Sequence, residues 1–305
     1  MRKTPAADFD RDAWLEQKQA KLRAAHDMLE QGVESFRDSD QYRAYLEFNA
    51  QHARTFSFKN TLLIYSQMPT ASLVMGFRQW QGVGRSVKKG ERGLMILVPS
   101  TYKKNNGEAP AAGNDDTPQE VLVRFVTGYV FDVSQTEGEP VPEILHELKG
   151  TSEEIQELRS TLTRIFGNEG YEVEEQHLVG NHYGYISPER KKVVTREGVE
   201  DMQALKTLLH EKAHKLLHVD APDAKDIPRD QRELEAESVA FIAMRYYGLD
   251  TSEYSFAYVS SWLGSDTKKI AASADRVHHA ASSIIDALEQ ARESREALSS
   301  TTHAD

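Results

Sequence analysis

The chain has 305 residues, more than one typical hydrophobic core requires, so we predict two domains. It contains no cysteine, which excludes disulfide bonds, a thiolate metal site and a cysteine nucleophile. Its apolar runs are shorter than the roughly 18 residues of a transmembrane helix, and no apolar segment follows the first basic residues as it does in a secretory signal. We therefore expect a cytoplasmic protein without a membrane partner.

The net charge of −11 is distributed unevenly along the chain. The segment from Gln41 to Lys104 contains ten Lys or Arg and only two Asp or Glu, a local excess of +8. The rest of the chain is acidic overall. The total charge alone argues against a nucleic-acid partner, but the basic segment is compatible with one.

Helical and strand patterns both occur in the first 135 residues, which we interpret as an α+β domain. Apolar and small polar residues recur at helical spacing, which predicts helices over 10–31, 39–54 (with Ser39 or Asp40 as N-cap) and 60–67. Strand patterns follow over 73–75, 94–98, 121–126 and 128–133. A polar loop is predicted over 103–118, and a linker over 136–150.

A second, mainly helical domain is predicted over 151–292. It opens with a helix over 151–167, after which residues 171–195 indicate a small β-meander with turns at Gly180, Gly184 and Pro188. Further helices are predicted over about 199–218, 229–247, 254–263 and 267–292. Residues 293–305 lack apolar periodicity and are expected to form a flexible tail.

The helix over 199–218 contains the motif His-Glu-Lys-Ala-His, residues 210–214. Positions four apart are neighbours on one helical face, so His210 and His214 can direct both imidazoles at one metal ion. Two such nitrogens supply half of a tetrahedral zinc site. Glu211, one step around the helix, can reach a water at the metal without being a ligand, which is the position of a general base.

A third protein ligand is needed, and we weighed three candidates. His218 continues the line of His210 and His214, but lies roughly 12 Å along the axis from His210 at 1.5 Å per residue. No Gly or Pro stands between His214 and His218 to break the helix, so we reject it as a ligand. Glu233 and Glu237 are better placed, because they share one face of the next helix with the small Ala236 between them.

These two helices resemble the ImmA/IrrE-type metallopeptidases, a gluzincin group, in the stretches HEKAHKLLH and ELEAESVAFIA. The resemblance implies that His210, His214 and Glu233 bind Zn²⁺ and that Glu211 is the base. The choice of Glu233 over Glu237 follows the family's pattern, in which the first acid is the ligand. Glu237 is then expected to hydrogen-bond the free ring nitrogen of a ligand histidine.

The N-terminal domain contains five distinctive stretches: Phe56–Asn60, Gln67–Pro69, Gly76–Trp80, Gly84–Glu91 and Tyr129–Thr136. In these stretches it resembles the N-terminal domain of ArdC-type antirestriction proteins. The resemblance implies single-stranded DNA binding, followed by an HExxH domain. Our candidate DNA-binding residues are Phe58, Asn60, Arg78, Trp80, Arg85, Lys88 and Lys89. The basic members would contact phosphates and the aromatic members would stack on bases, although the aromatic residues fit a hydrophobic core equally well.

We therefore expect a zinc metallopeptidase that binds single-stranded DNA and a protein or peptide substrate, in antirestriction or protection of incoming mobile DNA. One alternative is a non-catalytic DNA-protecting protein with a structural zinc ion. Another is a regulatory protease that cleaves a repressor or toxin partner. Candidates for stabilising the oxyanion are Tyr246, Tyr247, Tyr254 and Tyr258.

Overall fold

The first three helices run close to where the sequence predicts them. In this computed structural model, which describes residues 10–103, 121–141, 151–180, 182–221, 225–251, 256 and 265–302, they are α1 (Arg11–Ser35), α2 (Ser39–His52) and α3 (Phe58–Gln67). The predicted cap of α2 is wrong by one residue. Asp38 is the N-cap, because its carboxylate accepts hydrogen bonds from the backbone N–H groups of Asp40 and Gln41.

A three-stranded antiparallel sheet packs against these helices in the order β1–β4–β3. Its strands are β1 (Val74–Gly76), β3 (Leu94–Lys103) and β4 (Val121–Asp132). The two strand patterns at 121–126 and 128–133 form the single strand β4. Gly128 allows this continuity, because a Cβ atom there would lie 2.6 Å from Val98 Cγ2 on the paired strand.

Three short elements complete the first half of the chain. The helix α4 (Phe77–Gly82), which the sequence did not predict, connects β1 to β2 (Arg85–Val87). β2 pairs with β5 (Thr136–Gly138), after a short 3-10 turn over Val133–Gln135. The first three residues of the linker predicted over 136–150 therefore form a strand. Residues 142–150 of this linker lie outside the described parts of the chain.

The second half begins with α5 (Ser152–Asn168), capped by Thr151, and a second sheet. Its strands are β6 (Glu172–Gln176), β7 (Gly184–Ser187) and β8 (Lys192–Arg196). The predicted β-meander is wrong. The order is β6–β8–β7, with β6 parallel to β8, because the apolar strand β8 with buried Val193 and Val194 takes the centre. β7 is thereby left as an edge strand.

Three long helices follow. α6 (Asp201–His214) continues into one π-helical turn (Lys215–Val219), and α7 (Arg229–Tyr246) and α8 (Thr267–Thr302) pack with it. The tail predicted to be flexible over 293–305 is helical as far as Thr302, where α8 ends. The helix predicted over 254–263 lies almost wholly outside the described residues. None of the described helices is long and apolar enough to cross a bilayer.

The main hydrophobic core joins the two halves of the chain. Buried residues of α1 to α3, such as Val33, Tyr42 and Leu62, belong to the same cluster as Leu209 of α6 and Phe241 of α7. Hydrogen bonds also connect the two halves of the chain, since Tyr42 Oη of α2 lies 2.9 Å from Ser238 Oγ of α7. The α+β class is confirmed. The division into two domains stays a prediction. The main hydrophobic core contains residues from both predicted domains.

One of these crossing contacts makes stability depend on pH. His278 of α8 is 2% exposed, and its Nδ1 lies 2.9 Å from Asn49 Oδ1 of α2. Burial, and then the nearby His279, lower the pKa of His278 to about 4. Because this pKa is lower in the folded than in the unfolded protein, the unfolded state binds the proton more readily and folding weakens as the pH falls below about 6.5.

We predict that His278→Gln removes this acid sensitivity. Between pH 7 and 4, the free energy of unfolding of the wild type should fall by up to about 3 kcal/mol relative to that of the variant. Urea denaturation across this range measures both. His26→Gln, at an exposed histidine of α1, is the control. A wild-type advantage that stays constant with pH would contradict the prediction.

Candidate metal centre

The HExxH motif lies on the last turn and a half of α6. The spacing of His210 and His214 brings their rings together, with centroids 4.6 Å apart and the two Nε2 atoms 3.0 Å apart. The opposite side of α6 carries buried leucines, including Leu205, Leu208 and Leu209, which fix the helix against the core. Helical periodicity thus turns both imidazoles away from the core and toward one point.

Glu233 reaches the same point from α7. Its Oε2 lies 3.5 Å from His210 Nε2 and 3.6 Å from His214 Nε2. Ligand atoms of the three residues all lie within 4.8 Å of one another. Ala236, which the sequence analysis singled out as small, is fully buried in the core that α6 and α7 share. The structure thus brings together the three residues predicted to bind the metal.

The charges of the cluster are strongly coupled. Burial opposes protonation of His210, but hydrogen bonds with Glu233 and Glu237 outweigh it and raise the pKa of His210 to about 9. The hydrogen bond with His210, and then that with His214, hold the pKa of Glu233 well below its ordinary value. The raised pKa of His210 and the lowered pKa of Glu233 both favour positive charge at this point, so the cluster is suited to a cation.

Glu237 lies one turn beyond Glu233 and contacts the other side of the His210 ring. Its Oε2 is 3.4 Å from His210 Nδ1, and its Oε1 is 3.4 Å from Lys206 Nζ. A carboxylate at Nδ1 favours the tautomer whose Nε2 carries the lone pair. Its position is the one expected for a residue that orients His210.

Glu211 is 5% exposed and lies beside the cluster. Burial raises its pKa above the ordinary value, and the backbone N–H of Ile186 in β7 hydrogen bonds to its carboxylate. A carboxylate made more basic by burial is a better proton acceptor near neutral pH.

A cleft of about 1080 Å³ lies beside the cluster. It is lined by the two histidines and the glutamate of the motif and by Glu233 of α7, that is, by His210, Glu211, His214 and Glu233. The edge strand β7 forms its opposite wall. β7 approaches α6 closely at Gly184, where a Cβ atom would lie 2.5 Å from Thr207 Cγ2. The glycine is needed because no larger side chain fits between strand and helix. Tyr183 and Tyr185, which sequence reasoning missed, also line the cleft.

A divalent metal ion fits this donor set. Two imidazole nitrogens and one carboxylate oxygen, without a thiolate, are ligands found in catalytic zinc sites. The two Nε2 atoms stand 3.0 Å apart, a distance at which a proton on one ring, or a cation close to both, offsets the repulsion of their lone pairs. His210, His214 and Glu233 would hold the ion, and the cleft side of the cluster remains open.

The structure does not bring the tyrosines proposed for the oxyanion into the cleft. Tyr246 is engaged through its hydroxyl with Arg54 at 3.1 Å, and Tyr247 is buried in the core. Neither is among the described residues that line the cleft. Tyr254 and Tyr258 lie outside the described parts of the chain.

Three of the candidate DNA-binding residues have structural roles, and burial of Trp80 and Phe58 contradicts the base stacking predicted for them. Trp80 is fully buried and donates from Nε1 to the carbonyl oxygen of Phe131 at 2.9 Å. Phe58 is 3% exposed and belongs to the core. The side-chain amide of Asn60 bonds both backbone groups of Leu97 and so covers the free edge of β3, as Gln67 does at Met95.

The basic candidates divide into two groups. Arg85 is committed to β5, since its guanidinium donates to Thr136, to Gly138 and to the carbonyl of Glu139. Arg78, Lys88 and Lys89 are exposed, although Lys88 Nζ also donates to the carbonyl oxygen of Ser134 at 2.8 Å. Among the described residues of this half, the exposed aromatic side chains include Trp14, Phe77, Phe125 and Tyr129.

Part of the chain matches a known protein family. Residues 26–131 match the family described as the N-terminal domain of anti-restriction factor ArdC. This region contains α2 to β3 and nearly all of β4, and it ends before the metal cluster begins. The match supports an ArdC-type protein, as the N-terminal sequence patterns predicted.

Similar proteins cover more of the chain. An uncharacterized protein of Bacillus anthracis (pXO2-81/BXB0111/GBAA_pXO2_0111) is 26% identical in an alignment of 278 residues that covers 80% of this chain. The chain spans about half of that relative, 47% of its length. The metal-free crystal structure of antirestriction ArdC from plasmid R388 has a TM-score of 0.52 at 19% identity, over 77% of this chain and 85% of that one. Its Mn(II)-bound structure, at 19% identity, covers 77% and 84% with a TM-score of 0.48.

Proposed function

We propose that this ArdC-type chain is a metal-dependent hydrolase of peptide bonds that also binds single-stranded DNA and acts in antirestriction. The main support for hydrolase activity is a cluster of potential metal ligands that is open to a cleft. His210, His214 and Glu233 converge beside a cleft of about 1080 Å³, with buried Glu211 at its edge. A structural zinc site is closed by four protein ligands, whereas a catalytic site keeps a position open.

In the proposed mechanism, each residue has a defined role. When bound, a divalent cation supplies Lewis acidity, which makes water more acidic and polarises a carbonyl group. Glu211 accepts a proton from the attacking water at its carboxylate, whose pKa is raised by burial. The Ile186 N–H holds that carboxylate in place, and Glu237 holds the His210 ring. Glu211 can return the proton to the leaving amine.

The edge strand β7 favours a peptide as substrate. The carbonyl of Tyr183 accepts from Arg196 N in β8, so the backbone groups of Gly184 and Ile186, which alternate with Tyr183, face the free edge. Because the Ile186 N–H is engaged by Glu211, a peptide would bond the Gly184 backbone and the Ile186 carbonyl. An extended peptide can add to such an edge as a further strand. This would align the peptide with the cluster, since both residues line the cleft.

The hydrolase is tested by metal content and by cleavage of defined probes. Zn²⁺ and Mn²⁺ are each added to purified protein, and bound metal is counted by elemental analysis after gel filtration. Fluorescein-labelled casein and a mixture of quenched fluorescent peptides then serve as substrates, with and without single-stranded DNA. We expect one ion per chain and chelator-sensitive cleavage. A protein that retains no metal would overturn the proposal.

DNA binding is proposed for the exposed cations of the first half. Arg78 follows the first residue of α4, and Lys88 and Lys89 follow β2, which α4 contacts. The exposed ring of Phe77 lies beside Arg78 in the sequence and is available to a base in the role first assigned to Phe58 and Trp80. Phosphate contacts by such cations release counterions, so binding should weaken with salt.

We predict that replacing Arg78, Lys88 and Lys89 together with Ala weakens binding of labelled oligo(dT) roughly 10- to 100-fold at 0.1 M salt. The slope of log affinity against log salt should fall by about 2, or about 0.7 for each lost phosphate contact. Fluorescence anisotropy measures both. The matched control replaces Arg190, Lys268 and Lys269, which are exposed in the second half. Equal losses of oligo(dT) affinity in both triple variants would contradict the proposed DNA-binding surface.

A further inference from the structure

One histidine beside the metal cluster has no part in the proposed chemistry. His218 lies in the π-helical turn after α6, and its side chain is 4% exposed. Its Nδ1 is 3.0 Å from His214 Nδ1, and its Nε2 is 3.0 Å from Glu235 Oε2. His218 therefore connects a residue of the cluster to a carboxylate of α7 that faces away from the cleft.

Glu235 is held as an acceptor by several donors. The residue is fully buried, and its Oε1 accepts from Gln231 Nε2 at 3.1 Å, from Ser273 Oγ at 2.6 Å and from the guanidinium of Arg276. A buried carboxylate with a charged partner and this many donors remains ionised. An ionised carboxylate only accepts hydrogen bonds, so the proton at this contact belongs to His218 Nε2.

This proton fixes the tautomers of two rings. With a proton on Nε2, neutral His218 presents the lone pair of Nδ1, and His214 Nδ1 must donate to it. The proton of His214 is then on Nδ1, and its Nε2 carries a lone pair. That Nε2 is the atom that lies 3.0 Å from His210 Nε2 and 3.6 Å from Glu233 Oε2.

We propose that Glu235 and His218 form a hydrogen-bond relay that positions His214 in the tautomer and orientation required to bind the metal ion. The inference rests on the metal site of the proposed function. Neither residue touches the ion. Both are positioning residues, as Glu237 is for His210, but here a second imidazole stands between the carboxylate and the ligand. Such partners also raise the basicity of a ligand histidine.

Two substitutions of His218 separate this role from a purely structural one. An asparagine oxygen can occupy the position of the histidine Nδ1, so His218→Asn keeps an acceptor for His214 and loses the donor to Glu235. A glutamine amide can occupy the position of Nε2, so His218→Gln keeps the donor to Glu235 and loses the acceptor for His214. We expect His218→Gln to weaken Zn²⁺ binding roughly 10- to 100-fold and His218→Asn by less than about threefold.

Zn²⁺ affinity is measured by competition with a chelating dye, and site geometry by the visible spectrum of the Co²⁺-loaded protein. The melting temperature of each variant in EDTA reports the structural role and should fall more for His218→Asn. His26→Gln is the control. If affinity falls in parallel with melting temperature, or if His218→Gln binds Zn²⁺ like the wild type, the relay is overturned. A wild type that binds no Zn²⁺ would instead overturn the proposed function and the relay with it.

Discussion

Glu211→Gln should lower the rate of peptide cleavage by roughly 10²- to 10⁴-fold, the range expected for loss of a general base. The substitution keeps the shape of the side chain and an oxygen that can accept from the Ile186 N–H. It removes the group that takes the proton from water. Because Glu211 is not among the three clustered ligands, Zn²⁺ affinity should stay within about threefold of the wild type. Quenched peptides that the wild type cleaves provide the assay.

Glu189→Gln provides the matched control, because Glu189 is exposed in the turn between β7 and β8. Cleavage that continues at the wild-type rate in Glu211→Gln, with metal bound, would exclude Glu211 as the base. The same variant tests how hydrolysis relates to antirestriction. If it still protects an unmodified plasmid during transfer into a restriction-proficient host, protection does not depend on peptide cleavage. In that case the metal serves another purpose.

The metal cluster could be predicted because most of its geometry is local. The spacing of His210 and His214 on one helix already determines that their rings meet. The choice of Glu233 on α7 required a resemblance to known sequences, since a contact between two helices does not follow from periodicity. The α+β class followed from the two hydrophobic periods, whereas the order β6–β8–β7 depends on long-range pairing that no single strand encodes.

The candidate DNA-binding residues show the limit of the sequence argument. Trp80 and Phe58 occur among basic residues in the sequence, but their burial depends on partners far along the chain, such as the carbonyl of Phe131. Amphipathic aromatic residues suit either a core or a binding surface, and only the packing distinguishes the two. Exposed Phe77 and Arg78 lie only two or three residues before buried Trp80 in the sequence.

His218 illustrates a different limit. The sequence predicts a regular helix through His218, but the chain widens into a π turn over Lys215–Val219. Such turns occur often at functional sites. The turn lets His218 reach His214 on one side and Glu235 on the other. Its partner Glu235 went unnoticed because a glutamate on a helix is ordinarily a solvated residue.

Glu233→Gln should weaken Zn²⁺ binding by more than about 100-fold. The substitution removes the only carboxylate among the three clustered ligands, and with it the negative charge that faces the two Nε2 atoms at 3.5 and 3.6 Å. Partners outside the coordination sphere cost roughly 10- to 100-fold when lost. Glu237→Gln, which affects only the partner of His210 Nδ1, should fall in that lower range.

Comparing these two variants decides which acid of α7 is the ligand, because they remove the same charge from positions one helical turn apart. Zn²⁺ competition titrations rank the affinities, and the Co²⁺ spectrum shows whether the coordination itself changes. A larger loss in Glu237→Gln than in Glu233→Gln would reverse the assignment and make Glu233 the orienting residue. Equal, small losses in both would mean that neither carboxylate binds the ion. The open cluster would then lack the third ligand on which the proposed hydrolysis depends.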